Sequence, residues 1–393
     1  MRFSSLTDRI AGGGAEAWAV HFEALRQRVA GRAITFLTIG DPDQAAPDVI
    51  IEGAREALAR QRKGYAPIAG LPAIRAAIAA RIVRRSGAPC ADANIVVTPG
   101  AQAGLFIVLQ CIADLGDEVI VPEPVYATYG GVAGASGARM VNTPLRPENG
   151  FHPDLEAMER AITPRTRAIW INNPHNPTGA VLTQAELESI ADLCRRHDLW
   201  LLADEVYEDL AYARPHASAW SLPDMAGRVI VVSSLSKSHA IPGFRFGWVA
   251  GPPALITHAF NLVLCMLYGG PPFLQEAVLP ALERDLPEVA VLRETYKARA
   301  ASFSALLATA PRCRIIPPEG GMFALLDVRP TGLTSRAFAE GLLEEEAIAV
   351  LPCDAFGPSA AGHLRISLTL PDEQLHAAGQ RIVAFAERLA AKV

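Results

Sequence analysis

The chain has 393 residues and a mass of 41.9 kDa; 50% of its residues are apolar and 20% charged, which is ample core material and more than one core usually holds. A net charge of -5 with scattered Lys and Arg leaves no basic footprint for nucleic acid or an anionic membrane, and no apolar stretch reaches the roughly 18 residues a membrane span needs. Six cysteines without a C-x-x-C pair, and an N-terminus without an apolar export segment, predict reduced thiols and a cytoplasmic protein.

In chain order, a helix near 15–30 and the strand 34–38 precede the main pattern and lack its rhythm, so the segment 1–44 is expected to join the C-terminal lobe. From 94 onward seven short β-type runs alternate with helical stretches, at 94–98, 117–121, 138–142, 167–171, 199–203, 229–232 and 246–250. They are apolar without strict alternation, as strands buried on both faces are. That predicts an α/β fold with a mainly parallel seven-stranded sheet in a large domain, 45–285. The capping box Thr183-Gln-Ala-Glu186 opens one crossover helix, to about Arg196. Past 285 long helices (287–309, 334–346, 372–390) and short strands (322–327, 363–368) predict a smaller α+β domain, 286–393. No repeats or low-complexity tracts occur.

The chemistry-bearing residues follow the same order. Gly40, in Ile-Gly-Asp-Pro-Asp, would let the backbone approach a ligand carboxylate. Thr98-Pro-Gly-Ala-Gln102 leaves a strand and opens a helix, so the backbone at Gly100, Ala101 and Gln102 is placed to bind phosphate; an ordinary βα turn is the plainer alternative. Tyr126, in Pro-Glu-Pro-Val-Tyr, could stack on a ring or simply pack. Asn172-Asn-Pro-His-Asn-Pro-Thr-Gly179 is a turn able to aim Asn176 into a cleft. Asp204 ends a buried strand, where a carboxylate is costly unless paired, and Tyr207 follows it; a helix cap at Glu205 would also account for Asp204.

Ser234, Ser236, Lys237 and Arg245 lie just past the strand 229–232. Hydroxyls and a guanidinium around a lysine suit a phosphorylated aldehyde, pyridoxal 5'-phosphate, whose carbonyl the lysine amine would engage. Asp204 would then pair with the protonated ring nitrogen, and Asn176 and Tyr207 with the ring oxygen. Arg365, in the apolar run His-Leu-Arg-Ile-Ser-Leu, could clamp a substrate α-carboxylate, or face solvent from an edge strand.

These motifs together, over essentially the whole chain, resemble the fold-type I, class I pyridoxal-phosphate-dependent aminotransferases. The resemblance implies that Lys237 bears the cofactor and that Ser234 and Arg245 bind its phosphate. It implies that Asn176, Asp204 and Tyr207 hold the ring, that Tyr126 stacks on it, and that Arg365 takes the substrate carboxylate. Tyr65 would reach the cofactor phosphate of the neighbouring subunit, implying a homodimer with shared active sites. The substrate-binding set is Gly40, Asn176, Arg365 and Trp18. Segments 10–18, 234–240, 261–269 and 356–363 resemble the branch of the family that pairs arginine with pyruvate, for which Glu16 is a positional candidate to meet a guanidinium. The expected activity is transfer of an α-amino group to a 2-oxo acid. Aspartate or aromatic aminotransferases and carbon–sulfur β-lyases share the ring-holding residues. A Ser-x-x-Lys acyl-enzyme is disfavoured because the chain has neither Ser-Asp-Asn nor Lys-Thr-Gly. A non-catalytic regulator is disfavoured because the segment before 34 is too short for a DNA-binding domain.

Overall fold

The computed structural model describes residues 1–11, 18–60 and 64–391. Its main sheet has seven strands: β2 (Ile95–Thr98), β3 (Glu118–Glu123), β4 (Arg139–Pro144), β5 (Thr166–Asn172), β6 (Trp200–Asp204), β7 (Val229–Ser234) and β8 (Gly247–Ala250). They lie in the order β2-β8-β7-β6-β5-β3-β4, and only β8 runs antiparallel to its neighbours. The sheet is therefore mainly parallel, as the uninterrupted apolar runs predict.

Successive residues of β5 show why those runs do not alternate. Ala168 and Trp170 enter the core on one face, Ile169 and Ile171 the core on the other, and all four are buried. Helices cover both faces. The helix Gln184–Arg196 starts at the predicted capping box: Thr183 Oγ1 accepts from the Glu186 N–H, and Glu186 Oε2 accepts from the Thr183 N–H at 2.8 Å.

A second sheet is antiparallel, in the order β12 (Leu351–Pro352), β13 (His363–Ser367), β10 (Phe323–Asp327), β9 (Arg314–Ile316). The helices Pro287–Leu307, Ser335–Glu346 and Asp372–Ala391 pack around it in one core with Val20, Ala24 and Leu37. The early strand β1 (Thr35–Phe36) pairs in parallel with β11 (Ile348–Ala349). The predicted strand 34–38 thus shrinks to two residues, because only that stretch finds a ladder partner. The helix expected near 15–30 is Ala19–Val29, and Glu16 lies outside the described residues. A shorter helix, Ser5–Ile10, comes before it and packs on Tyr129–Ser136 of the large domain, Arg9 Nε donating to the Gly134 carbonyl at 2.9 Å, so only the later part of 1–44 joins the C-terminal lobe. Among the described residues no helix is long and apolar enough to cross a membrane.

Candidate active site

The carboxyl ends of β2, β5, β6 and β7 border a cleft of about 180 Å³, the position where open α/β sheets bind ligands. Ala101, Gln102, Tyr126, Asn176, Asp204, Tyr207, Ser234, Ser236, Lys237 and Arg245 all line it.

Lys237 follows β7 by three residues. Its Nζ donates to the Gly40 carbonyl at 2.7 Å and lies 4.0 Å from Asp41 Oδ1. Burial lowers its pKa; Asp41 opposes that, and the positive charges of Arg365 and Arg245 lower it further. The amine is thereby moved toward its neutral, proton-accepting form.

One strand over, Asp204 ends β6 and is buried. Burial pushes its carboxyl up to about 6, while the hydrogen bond from Tyr129 Oη to Oδ2, at 2.6 Å, pulls the other way. Oδ1 accepts from the Val206 N–H at 3.2 Å, and the next element is the 3-10 turn Glu208–Leu210 rather than an α-helix, which removes the helix-cap alternative. Tyr129 stacks on Trp170 with ring centroids 3.8 Å apart; burial, reinforced by the Asp204 charge, holds its hydroxyl protonated.

Asn176 joins the two sheets. Its N–H donates to Asn172 Oδ1 at 2.7 Å, its Nδ2 to Tyr207 Oη at 3.3 Å, and its Oδ1 accepts from Arg365 Nη1 at 3.2 Å. Arg365 lies in β13, an interior strand between β12 and β10, and is 2% exposed, so the solvent-facing edge-strand alternative is also removed. Its Nη2 donates to the Thr38 carbonyl at 2.6 Å, and the guanidinium lies 4.1 Å from the Phe323 ring centroid and 5.3 Å from that of Phe356. Its Nε is buried without a hydrogen-bond partner.

Gly100 caps the helix Ala101–Ile112 at φ +83°, and a Cβ there would fall 2.3 Å from Arg245 Nη2, so the turn requires glycine. Arg245 is held by the Pro242 carbonyl at 2.9 Å and the Pro99 carbonyl at 3.2 Å. The Ser234 hydroxyl accepts from the Ser236 N–H at 3.3 Å.

Of the predicted residues, Gly40, Gly100 and Arg365 do not line the cleft but adjoin Lys237, Arg245 and Asn176, which do, and two more stand apart from it. Tyr65 is 82% exposed, edge-on to Tyr268 with centroids 5.0 Å apart. Trp18 is half-buried against the cluster that contains Phe356 and Cys353. Gly40 contributes only its carbonyl, to Lys237. Tyr129, Thr38, Phe323 and Phe356 escaped sequence reasoning. For Tyr129 a faint signal exists, its spacing of three from Tyr126; the others act through a carbonyl or a ring face, which no motif marks.

The donor set fits pyridoxal phosphate. Asp204 is a buried carboxylate facing the cleft with hydroxyl and amide partners but, among the described residues, no cation, as a protonated ring nitrogen would require. The helix amides at Ala101 and Gln102, the two serine hydroxyls and Arg245 suit a phosphate dianion. Lys237 lies in the same cleft with its proton loosened.

Fold and site together define an α/β transferase of fold type I. Comparison with known proteins narrows this: the sequence profile of aminotransferase class I and II matches residues 32–382. The arginine–pyruvate transaminase of Pseudomonas aeruginosa is 49% identical over 389 residues, 99% of each chain. The aspartate/prephenate aminotransferase of Thermus thermophilus is 36% identical over 371 residues, 92% of this chain and 94% of that one. The structure of Thermus thermophilus aspartate aminotransferase with maleate superposes with a TM-score of 0.92 at 34% identity, covering 98% of this chain and 100% of that one. The chain belongs to the class I and II aminotransferases, a family whose members use pyridoxal phosphate.

Proposed function

We propose that the chain is an amino-acid aminotransferase that holds pyridoxal 5'-phosphate on Lys237 and moves an α-amino group to a 2-oxo acid. The observation that carries this reading is the meeting of Lys237 and Asp204, from neighbouring parallel strands, in one cleft to which Asn176 links Arg365 from the second sheet. When bound, the cofactor supplies an electron sink for the bond broken at the substrate α-carbon.

The chain's own residues do the rest. Ser234, Ser236, Arg245 and the backbone at Gly100, Ala101 and Gln102 hold the phosphate. Asp204, kept ionised by a cationic ring nitrogen and by Tyr129, fixes the ring's charge. Asn176 and Tyr207 hold the ring oxygen, and Tyr126 covers a face. Arg365 binds the α-carboxylate with a two-pronged fork, helped by Gly40 and Asn176, with Trp18 at the substrate side. Lys237 Nζ, once free, would take the proton from the α-carbon and return it at the former aldehyde carbon, on the far side of the amino nitrogen.

Tyr65, exposed beside Tyr268, is proposed to complete the phosphate site of a second copy, making a homodimer with shared sites. Residues 45–285 form the larger unit of the proposal and 286–393 with Ala19–Val29 and β1 the smaller, whereas Ser5–Ile10 packs on Tyr129–Ser136 of the larger unit, and the setting is cytoplasmic. Arginine and pyruvate are the first donor and acceptor to try, given the 49% identical relative. Lys237→Ala should abolish turnover and the yellow colour of the loaded protein; a yellow, active variant refutes the assignment. A screen of amino donors against pyruvate and 2-oxoglutarate tests the substrate pair.

A further inference from the structure

The strand β3 ends at Glu123, a carboxylate only 5% exposed and held by uncharged groups. Its Oε2 accepts from Asn142 Nδ2 at 2.8 Å. Its Oε1 accepts from the Ser359 N–H and from Ser359 Oγ, each at 2.8 Å, and that hydroxyl also lies 2.8 Å from the Glu123 carbonyl oxygen. A buried carboxylate is tolerated only when hydrogen-bonded in this way. The loop after β12 therefore wraps the end of β3 closely. At Gly357, φ +125°, a Cβ would fall 2.2 Å from Glu123 Cδ. The Val125 N–H donates to the Phe356 carbonyl at 2.7 Å.

That loop carries Phe356, whose ring lies 5.3 Å from the Arg365 guanidinium and packs with Leu145, Leu351 and Cys353. Tyr126, three residues past Glu123, packs against the same cluster. One carboxylate thus ties the wall behind the arginine to the strand exit that bears the cleft tyrosine.

We propose that Glu123 is a positioning residue for substrate carboxylate binding: by pinning Gly357 and Ser359 it fixes Phe356 against Arg365, and so sets where the guanidinium fork stands relative to Tyr126. The inference rests on the reading of Arg365 as the carboxylate clamp. What Glu123 supplies is acceptors, not charge. Glutamine keeps an acceptor for both Ser359 donors, and its amide can pair with Asn142 once the Asn142 amide turns over. Alanine removes both side-chain acceptors, leaving only the Glu123 carbonyl for the Ser359 hydroxyl, so the part-buried Ser359 N–H loses its partner and the exposed Asn142 Nδ2 is released to water.

The test uses the loaded enzyme and the variants Glu123→Ala, Glu123→Gln, Ser359→Ala and Arg365→Lys. Readouts are KM for amino donor and oxo acceptor, kcat, and the inhibition constant of propionate, a carboxylate with no amine to react. Glu123→Ala should raise both KM values and the propionate constant about tenfold with kcat nearly kept, matching the loss of a bond to a charged group. Glu123→Gln should recover most of that. Ser359→Ala, which keeps the N–H, should show a smaller rise of the same kind and serves if Glu123→Ala does not fold. The proposal is overturned if Arg365→Lys raises KM while Glu123→Ala, or Ser359→Ala in its place, leaves KM and the propionate constant unchanged. It is also overturned if the glutamine variant is as impaired as the alanine one. If Arg365→Lys itself leaves KM unchanged, the clamp reading falls first.

Discussion

Tyr129→Phe isolates one hydroxyl. The substitution keeps a ring on Trp170 and removes the 2.6 Å hydrogen bond to Asp204 Oδ2. Asp204 is buried, and its pKa of about 6 stands above the 3.8 of an ordinary aspartate, burial being the main cause. A carboxyl raised in this way favours folding fully below pH 4, and that contribution is lost as pH rises through 6, about 3 kcal/mol in all. A bond to a charged acceptor is worth about 1.5–3 kcal/mol and one to the neutral carboxyl about 1, so losing the bond costs the charged form about 0.5–2 kcal/mol more and the midpoint should climb toward about 7.

The variant then goes on losing stability between pH 6 and 8, where the parent has finished. In urea unfolding of the cofactor-free protein, the gap between the two should be about 1 kcal/mol at pH 5, the worth of a neutral hydrogen bond, and should widen by about 0.5–2 kcal/mol by pH 8. A gap that stays flat from pH 5 to 8 refutes the account, since Tyr129 would then not be stabilising the charged form of Asp204. The loaded variant should also release pyridoxal phosphate faster than the parent near pH 7, because less of Asp204 is ionised to hold the ring nitrogen.

Gly100→Ala forces a side chain to within 2.3 Å of Arg245 Nη2 at a backbone angle of φ +83°, so it should weaken pyridoxal phosphate binding about tenfold or more, read by equilibrium dialysis. Asp41→Asn removes the one carboxylate that holds the Lys237 pKa up against burial and two arginines; the rate at which an acylating reagent modifies Lys237 in the cofactor-free protein should therefore rise at lower pH than in the parent. Asp209→Asn should be severe for stability alone, because Arg81, 2% exposed, donates to Asp209 Oδ2 at 2.7 Å and would lose its main counter-charge. The expected cost is about 3–5 kcal/mol in urea unfolding.

The inner strands of the sheet were legible because they are buried on both faces and so read as apolar runs between turn signals, whereas the edge strand β4, Arg139–Pro144, is largely exposed and carries Arg139 and Asn142. The short strands were not: β11 and β12 are two residues each, and nothing in Ile348–Ala349 or Leu351–Pro352 distinguishes a ladder from a loop until the partners β1 and β13 are in place. Site residues followed the same division. Lys237, Asp204 and Asn176 sit just past strand ends, where position in the chain fixes position in space. Glu123 depends on a contact 236 residues away, to Ser359, and local pattern carries no such information; Arg365 was found through the family resemblance, while its contact to Asn176, 189 residues away, was not legible. Tyr129 was hidden for another reason: it opens a helix of small residues and looks like packing, which it also is.

The orientation of the Asn176 amide has a consequence for the cleft. Arg365 has only donors, so the atom it meets at 3.2 Å is Oδ1, and the amide nitrogen must face Tyr207. The Tyr207 oxygen thus accepts from Asn176, while burial holds its pKa well above the ordinary value and the hydroxyl stays protonated. Its proton is then free to point into the cleft, and Asn176 Nδ2 has a second hydrogen to offer beside it. Two donors converge where an oxygen anion would lie on a ring whose nitrogen reaches Asp204. The same amide that accepts from Arg365 therefore dictates that this corner of the cleft offers protons instead of accepting them.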